Sequence, residues 1–187
     1  MSARQLLPPV ARNRIPQPFL ANPVRLRDGR TVNVRPIRRS DADGVLEFYA
    51  RLSPESRRSR FLTASSTKHR LDAERLAAAA RRYDCVLVAT ETESKPGKET
   101  LAAVAQLVGC RVDAEAALVV RDDYQGVGLG SMLFDQLLQM GDQRGLRNVE
   151  ATVLSGNSRI LRILRQHHAK LGPADGGITQ ATIRLAS

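Results

Sequence analysis

The 187-residue chain is 42% hydrophobic and 26% charged, with no Trp and only 4% aromatic residues. This composition excludes intrinsic disorder and calls for one domain with a core of Leu, Val, Ile and Ala, and no apolar run reaches the ~18 residues that span a bilayer. The net charge is +10, of which residues 1–60 carry +8 (13 Arg against 5 acids) and residues 61–187 carry +2 (16 Lys plus Arg against 14 acids); such an excess attracts phosphates or an acidic protein surface, or serves solubility alone.

Residues 1–23 hold five of the nine prolines and no apolar period, which predicts an extended arm ahead of a domain over 24–187. The prolines at 8, 9, 16 and 18 also interrupt any charged-then-apolar leader pattern. Val24–Ile37 alternates around Asp28-Gly29, a hairpin signal. Ser40 and Asp41 are set to cap a helix with Val45, Leu46, Phe48 and Tyr49 on one side. Ser53-Pro54 starts a second helix, and the Ala-rich stretch 72–82 reads as a third.

The period then changes. Residues 85–90 and 100–110 read as a strand pair around the polar loop that contains Pro96-Gly97. "AALVV" (116–120) is another strand, with Glu115 at its opening, followed by a helix over 128–144. "NVEATVL" is a strand, Asn157 to Lys170 a helix ended by Gly172-Pro173, and "ITQATIRLA" a last strand. The unit strand, loop, helix, strand predicts a right-handed crossover between parallel strands in one α+β domain. Cys85 and Cys110 form no C-x-x-C pair and sit in strand-like runs, so buried free thiols in a cytoplasmic chain are expected.

Between the strand at 116–120 and its helix lies "RDDYQGVGLGS". A P-loop would need Gly-Lys-Ser/Thr, which is absent. A dinucleotide fingerprint would need its third glycine where Ser131 stands and a strand running directly into the turn. Glu150 is suitably distant to bind a ribose but falls within a strand. A plain packing turn explains one or two of the glycines, not three. A third pattern, Gln/Arg-x-x-Gly-x-Gly/Ala, is met at every fixed position by Gln125, Gly128 and Gly130. Its glycines let successive N–H groups converge on a pyrophosphate ahead of a helix N-terminus.

Here the chain resembles the GNAT superfamily of acetyl-CoA-dependent N-acyltransferases. "VNVRPIRRSDADGVLEFYARLSPESRRSRF", "AEAALVVRDDYQGVGLGSML" and "ATVLSGNSRILRIL" are similar to the GNAT domain of bacterial protein-lysine acetyltransferases, and the resemblance spans about 25–187. It implies a GNAT fold: a mixed, mostly antiparallel central sheet with a splayed parallel strand pair, flanked by helices. It also implies that Leu118, Val119 and Val120 hold the pantetheine as an added strand would be held. Gln125, Gly126, Val127, Gly128, Leu129, Gly130 and Ser131 would hold the pyrophosphate. Asn157 would touch the pantetheine while capping its helix. Glu115 matches the general-base position, since an ammonium must lose a proton before it attacks a thioester; the bland alternative is a strand-end carboxylate in solvent. The oxyanion would be met by the N–H of Val119 or Val120.

The pattern departs from the family in one place. Where Leu-Gly-Phe or Leu-Gly-Tyr is usual, His167, His168 and Ala169 stand, and no Tyr follows Tyr124 to act as general acid. The thiolate then leaves unaided, a water or a histidine protonates it, or catalysis is impaired. No metal site is expected, because adjacent histidines on a helix point apart.

Two function classes remain. One is an acetyl-CoA-dependent N-acetyltransferase acting on a primary amine, with a lysine on an acidic protein surface as the expected acceptor. The other is a catalytically weak module that senses acyl-CoA or binds an acidic partner. Too few aromatics are present for nucleic-acid stacking, no membrane association is expected, and a homodimer is left open.

Overall fold

The computed structural model describes residues 23–62, 75–76, 85–92, 99–110 and 112–185. Strands β1 (Pro23–Arg25) and β2 (Thr31–Pro36) form the expected hairpin, with Val24 opposite Val32 and Gly29 at φ 88° in the turn. Helices α1 (Ala42–Arg51) and α2 (Pro54–Phe61) follow. Residues 1–22 of the expected arm lie outside the described residues, while Pro23 already belongs to β1. Of the helix expected over 72–82, only Arg75 and Leu76 are described, both helical, with Leu76 buried.

Strands β3 (Cys85–Thr92), β4 (Glu99–Cys110) and β5 (Asp113–Val120) run antiparallel in sequence, then α3 (Leu129–Gln143) leads to β6 (Asn148–Leu154). β5 begins at Asp113, three residues before the apolar run, so Glu115 lies inside the strand rather than at its opening. After α4 (Ser158–Gln166) come β7 (Lys170–Leu171) and β8 (Ile178–Arg184). The helix expected to reach Lys170 stops at Gln166, because His168 turns left-handed at φ 54° and releases the chain into β7. Buried Cys85 carries a free thiol, as expected; the Cys110 side chain lies outside the described set.

One eight-stranded sheet results, in the order β1-β2-β3-β4-β5-β6-β8-β7, with β5–β6 as its parallel pair. This is the α+β, mostly antiparallel sheet expected. Its two faces carry separate cores. On one, Leu133, Phe134 and Leu137 of α3 and Leu164 of α4 pack on Leu107 and Val149. On the other, Val45, Phe48 and Tyr49 of α1 pack on Val86, Val88 and Val119. The period-3.6 stripes of the helices and the period-2 alternation of the strands thus meet as pattern dictates.

The start of α1 is fixed by charge rather than by a side-chain cap. Asp41 makes no cap bond; it receives two bonds from the buried Arg35, at 2.7 and 2.9 Å, and the Arg38 N–H at 2.6 Å. Glu99 of β4 completes the cluster on the same guanidinium. Burial pushes the Asp41 carboxyl up, but these donors outweigh it and hold it below its ordinary value. A carboxylate with a depressed folded value contributes stability above its unfolded pKa and loses it as pH falls through the folded one. Asp41→Asn is therefore expected to cost about 3–5 kcal/mol at neutral pH. The wild-type melting temperature should be level at neutral pH and fall as pH drops from ~5, with a shallower fall in the variant. Thermal melts across pH check both statements.

Candidate active site

β5 and β6 are paired only at their first three residues, Asp113–Asn148, Ala114–Val149 and Glu115–Glu150. Beyond Glu115 the two strands part. β5 stays on β4 as far as Val120 opposite Ala103, and β6 stays on β8 as far as Leu154 opposite Ile178. The wedge between them opens into a cavity of about 1020 Å³, lined by Ala116–Val120 on one wall and Ala151–Leu154 on the other.

Ladder alternation decides which β5 groups face the wedge. The Arg121 N–H donates to Ala102 C=O at 2.8 Å. In an antiparallel ladder the bonded residues alternate, so Val119 and Ala117 also turn their backbone groups to β4, while Val120, Leu118 and Ala116 turn theirs to the wedge. The expected oxyanion donors are thereby separated: the Val120 N–H faces the wedge and the Val119 N–H does not. The Val119 side chain lies in the core under α1. An unpaired strand edge in a cleft can receive an extended chain.

At the wide end stands the glycine loop. Gly126 has φ 80°, with nothing within 4 Å of where a Cβ would point, and Gly128 has φ 94°. Both conformations belong to glycine. Gly130 is in ordinary helical backbone, and a Cβ added there would meet Val120 and Ile163 at 3.5 Å, an ordinary contact distance, so neither backbone nor space requires glycine at this position. Met132 is the first N–H to bond within α3, to Gly128 C=O at 3.1 Å, so the preceding N–H groups through Ser131 lack helical partners. Gln125, Gly126, Gly128, Gly130 and Ser131 line the cavity, but Leu129 is fully buried and Val127 packs against the core, so these two can serve a ligand only through backbone.

Side chains that the sequence reading passed over hold this loop. Asp122 accepts the Ser53 N–H (2.9 Å), the Ser53 hydroxyl (2.7 Å) and the Ser56 hydroxyl (2.7 Å), tying the N-terminus of α2 to the end of β5. Burial raises the Asp122 carboxyl, and the Ser53 and Ser56 bonds more than offset it, leaving it lowered. Gln125 donates its amide to Ser56 Oγ (3.0 Å) and Val120 C=O (2.9 Å) and accepts from Arg159 of α4 (2.8 Å). Tyr124 is buried with its ring against the guanidinium groups of Arg30 (3.8 Å) and Arg121 (4.8 Å). Burial, then the Glu91 carboxylate, pushes its phenol up to about 12, so it stays neutral. The motif "LSPESR" was visible in the sequence, but not that its two serines point at Asp122.

Glu115 lines the cavity at the point where the strands part, exposed, on the same sheet face as Val119 and beside Glu150. Asn157 lines it from α4, whose first turn it caps through Ile160 N–H at 3.2 Å. His167 does not line the cavity; its Nε2 pairs with Asp135 of α3 at 2.8 Å and its ring packs on Phe134. Five arginines line the space, Arg27, Arg58, Arg60, Arg159 and Arg162, against Glu55 and Glu115. The site thus fits a large anionic ligand with an extended, hydrogen-bonding tail: cations and free N–H groups at the wide end, backbone acceptors and donors along the wedge. Among the described residues no group of three or more His, Cys, Asp and Glu is placed to hold a metal, and no helix is long and apolar enough to cross a membrane.

Comparison with known proteins agrees with this geometry. The family model of the acetyltransferase (GNAT) domain matches residues 31–170. An acetyltransferase of Pseudomonas aeruginosa is 30% identical over 164 residues, 86% of this chain and 87% of the relative. The crystal structure of the GNAT domain of S. lividans PAT superposes with a TM-score of 0.73 at 25% identity, covering 92% of this chain and 100% of that one. The fold of yncA of Salmonella typhimurium, solved with its cofactor acetyl-CoA, matches with a TM-score of 0.65 at 16% identity over 83% of this chain and 95% of that one.

The Asp122 hub has a measurable worth. Asp122→Ala strands two hydroxyls and an N–H and is expected to cost about 2–3 kcal/mol, the range for hydrogen bonds to a charged acceptor. Asp123→Ala, whose carboxylate is half exposed against Arg121, should change stability by less than ~1 kcal/mol. Chemical denaturation of both variants provides the comparison.

Proposed function

The chain belongs to the GNAT acetyltransferase family, and we propose that it moves an acetyl group from acetyl-CoA directly to a primary amine, with a protein lysine as acceptor. The observation that carries this reading is the three-rung parallel pair, which leaves one edge of β5 open beside a cation-lined glycine loop. Acetyl-CoA supplies an activated thioester carbonyl; the residues named here bind, orient and move protons around it.

Leu118 and Val120 present backbone groups to the pantetheine arm. Gly126, Gly128 and the first N–H groups of α3 meet the pyrophosphate, with Val127 and Leu129 contributing backbone alone and Gly130 and Ser131 opening the helix. Asn157 flanks the arm from α4. Glu115 takes a proton from the acceptor ammonium, directly or through water, and the free amine attacks the carbonyl carbon. The N–H of Val120, or of Leu118, donates to the oxygen as it gains charge. The nitrogen of the adduct gives its second proton to water, the carbon–sulfur bond breaks, and water returns a proton to the departing thiolate.

The acceptor is supported by the resemblance to bacterial protein-lysine acetyltransferases and by Arg58 and Arg60, which bring positive charge from α2 to the cavity. Such a rim favours a lysine set among acidic residues over a polycationic amine. A cytoplasmic setting follows from a substrate pair of acetyl-CoA and protein.

One observation favours a second reading, acyl-CoA binding with little turnover. Tyr49 and Tyr124, the tyrosines among the described residues, are both buried and outside the cavity, so neither offers a general acid. Glu115→Gln separates the readings. As general base, Glu115 should be worth about 10²–10⁴ in turnover. The deficit should shrink as rising pH deprotonates the acceptor in bulk water, with acetyl-CoA affinity unchanged. A binding module would show negligible thiol release in both proteins. An active wild type matched by Glu115→Gln at every pH removes Glu115 from the mechanism.

A further inference from the structure

The glycine loop Gln125–Ser131 contains no charged residue. Its first motif position admits Gln or Arg; here it is Gln125, whose amide is fully engaged with Ser56, Val120 and Arg159. The positive charge that an arginine there would bring must come from elsewhere, or be absent.

It stands on the β1–β2 hairpin, about a hundred residues earlier in the chain. The Arg27 N–H donates to Val127 C=O at 3.2 Å, so the hairpin turn is hydrogen-bonded to the loop itself. The Arg27 side chain then runs along Gly128: a Cβ added there would lie 3.8 Å from its Cγ, 3.7 Å from its Cδ and 3.4 Å from its Nε. The side chain lines the cavity and is exposed. Among the described residues it has no carboxylate partner, whereas its neighbour Arg30 is held by Asp28 at 2.6 Å and Asp123 at 3.9 Å. The hairpin is clamped independently of Arg27, by Arg30 donating to Asp123 C=O at 2.6 Å and stacking on Tyr124. An unpaired guanidinium held by its own backbone beside converging N–H groups suits the planar two-point bonding of a phosphate.

We propose that Arg27 is a phosphate-binding residue of this site, closing the glycine loop from outside and bonding the pyrophosphate of acyl-CoA. The proposal rests on the acetyl-CoA reading above. Arg27 lies outside the loop motif that carries the resemblance, and its role is set by the hairpin contact.

The test is calorimetry of wild type, Arg27→Ala and Arg27→Lys with acetyl-CoA, 3′-dephospho-acetyl-CoA and S-acetylpantetheine, with melting temperatures in parallel. Arg27→Ala is expected to weaken acetyl-CoA by about 10- to 100-fold, the worth of a charge-assisted contact, and Arg27→Lys by less. The same loss should persist with the 3′-dephospho ligand. S-Acetylpantetheine, which has no pyrophosphate, should bind both proteins alike or compete equally in a displacement titration. KM for acetyl-CoA should rise in step with the loss of affinity. Equal acetyl-CoA affinity in wild type and Arg27→Ala overturns the proposal and leaves the acetyltransferase reading standing. A loss that vanishes with the 3′-dephospho ligand also overturns it, by moving the contact to the 3′-phosphate. An equal loss with S-acetylpantetheine, or a drop in melting temperature, overturns it by showing a packing role. Wild type that binds no acetyl-CoA overturns both.

Discussion

The fold depends on a backbone pairing that is left unfinished. β5 and β6 share three residues and then turn to different partners, β4 and β8, each of which stays in register to the strand's end. The inner edges of Ala116–Val120 and Ala151–Leu154 thus keep backbone groups that the sheet does not satisfy. Buried groups of this kind demand a partner, and a ligand with amide groups of its own along an extended chain is one that fits. Helices α3 and α4 close one side of the opening, α2 the other, and the glycine loop caps its wide end.

Charge keeps the parts around that opening in place. Arg35, Asp41 and Glu99 fix where α1 leaves β2, and Asp122 draws the first turn of α2 onto the end of β5. Gln125 then bridges from Ser56 to Arg159, connecting the helix on one wall to the helix on the other. These bonds sit at element ends, where unpaired backbone groups are available. The +10 net charge is consequently uneven in use: Arg35 braces the frame, whereas Arg27 faces the cavity with no carboxylate partner among the described residues.

Much of this was legible in the sequence, for identifiable reasons. β6 is recovered at its full length, 148–154, because its alternation is regular and both ends carry turn residues. The loop was legible because glycine at positive φ is a local requirement, visible at Gly126 and Gly128 without knowledge of the rest of the fold. The splay was not legible from pattern, since a strand shows the same alternation whether or not its edge is paired; only the resemblance implied it. The long contacts were also hidden. Nothing near Arg27 indicates that it will lie against Gly128, and Asp122 looks like its neighbour Asp123 until Ser53 and Ser56 arrive from α2. The early end of α4 was missed because His168, unlike a glycine, does not advertise a left-handed turn.

The hairpin has a further consequence, in the time order of events. Arg30 and Asp123 are 93 positions apart in sequence, and β1 itself is tied to the sheet by three residues of β2. Contacts of such long separation close late in folding, after the intervening chain has found its place. The hairpin lies at one edge of the sheet, where β1 has a single neighbour and three paired residues, so it belongs with the short β7 edge among the units that open early in subglobal fluctuations of the native state. The Arg27–Val127 bond that joins the hairpin to the glycine loop is accordingly formed late, and opening of the hairpin parts Arg27 from the loop while the rest of the sheet stays paired.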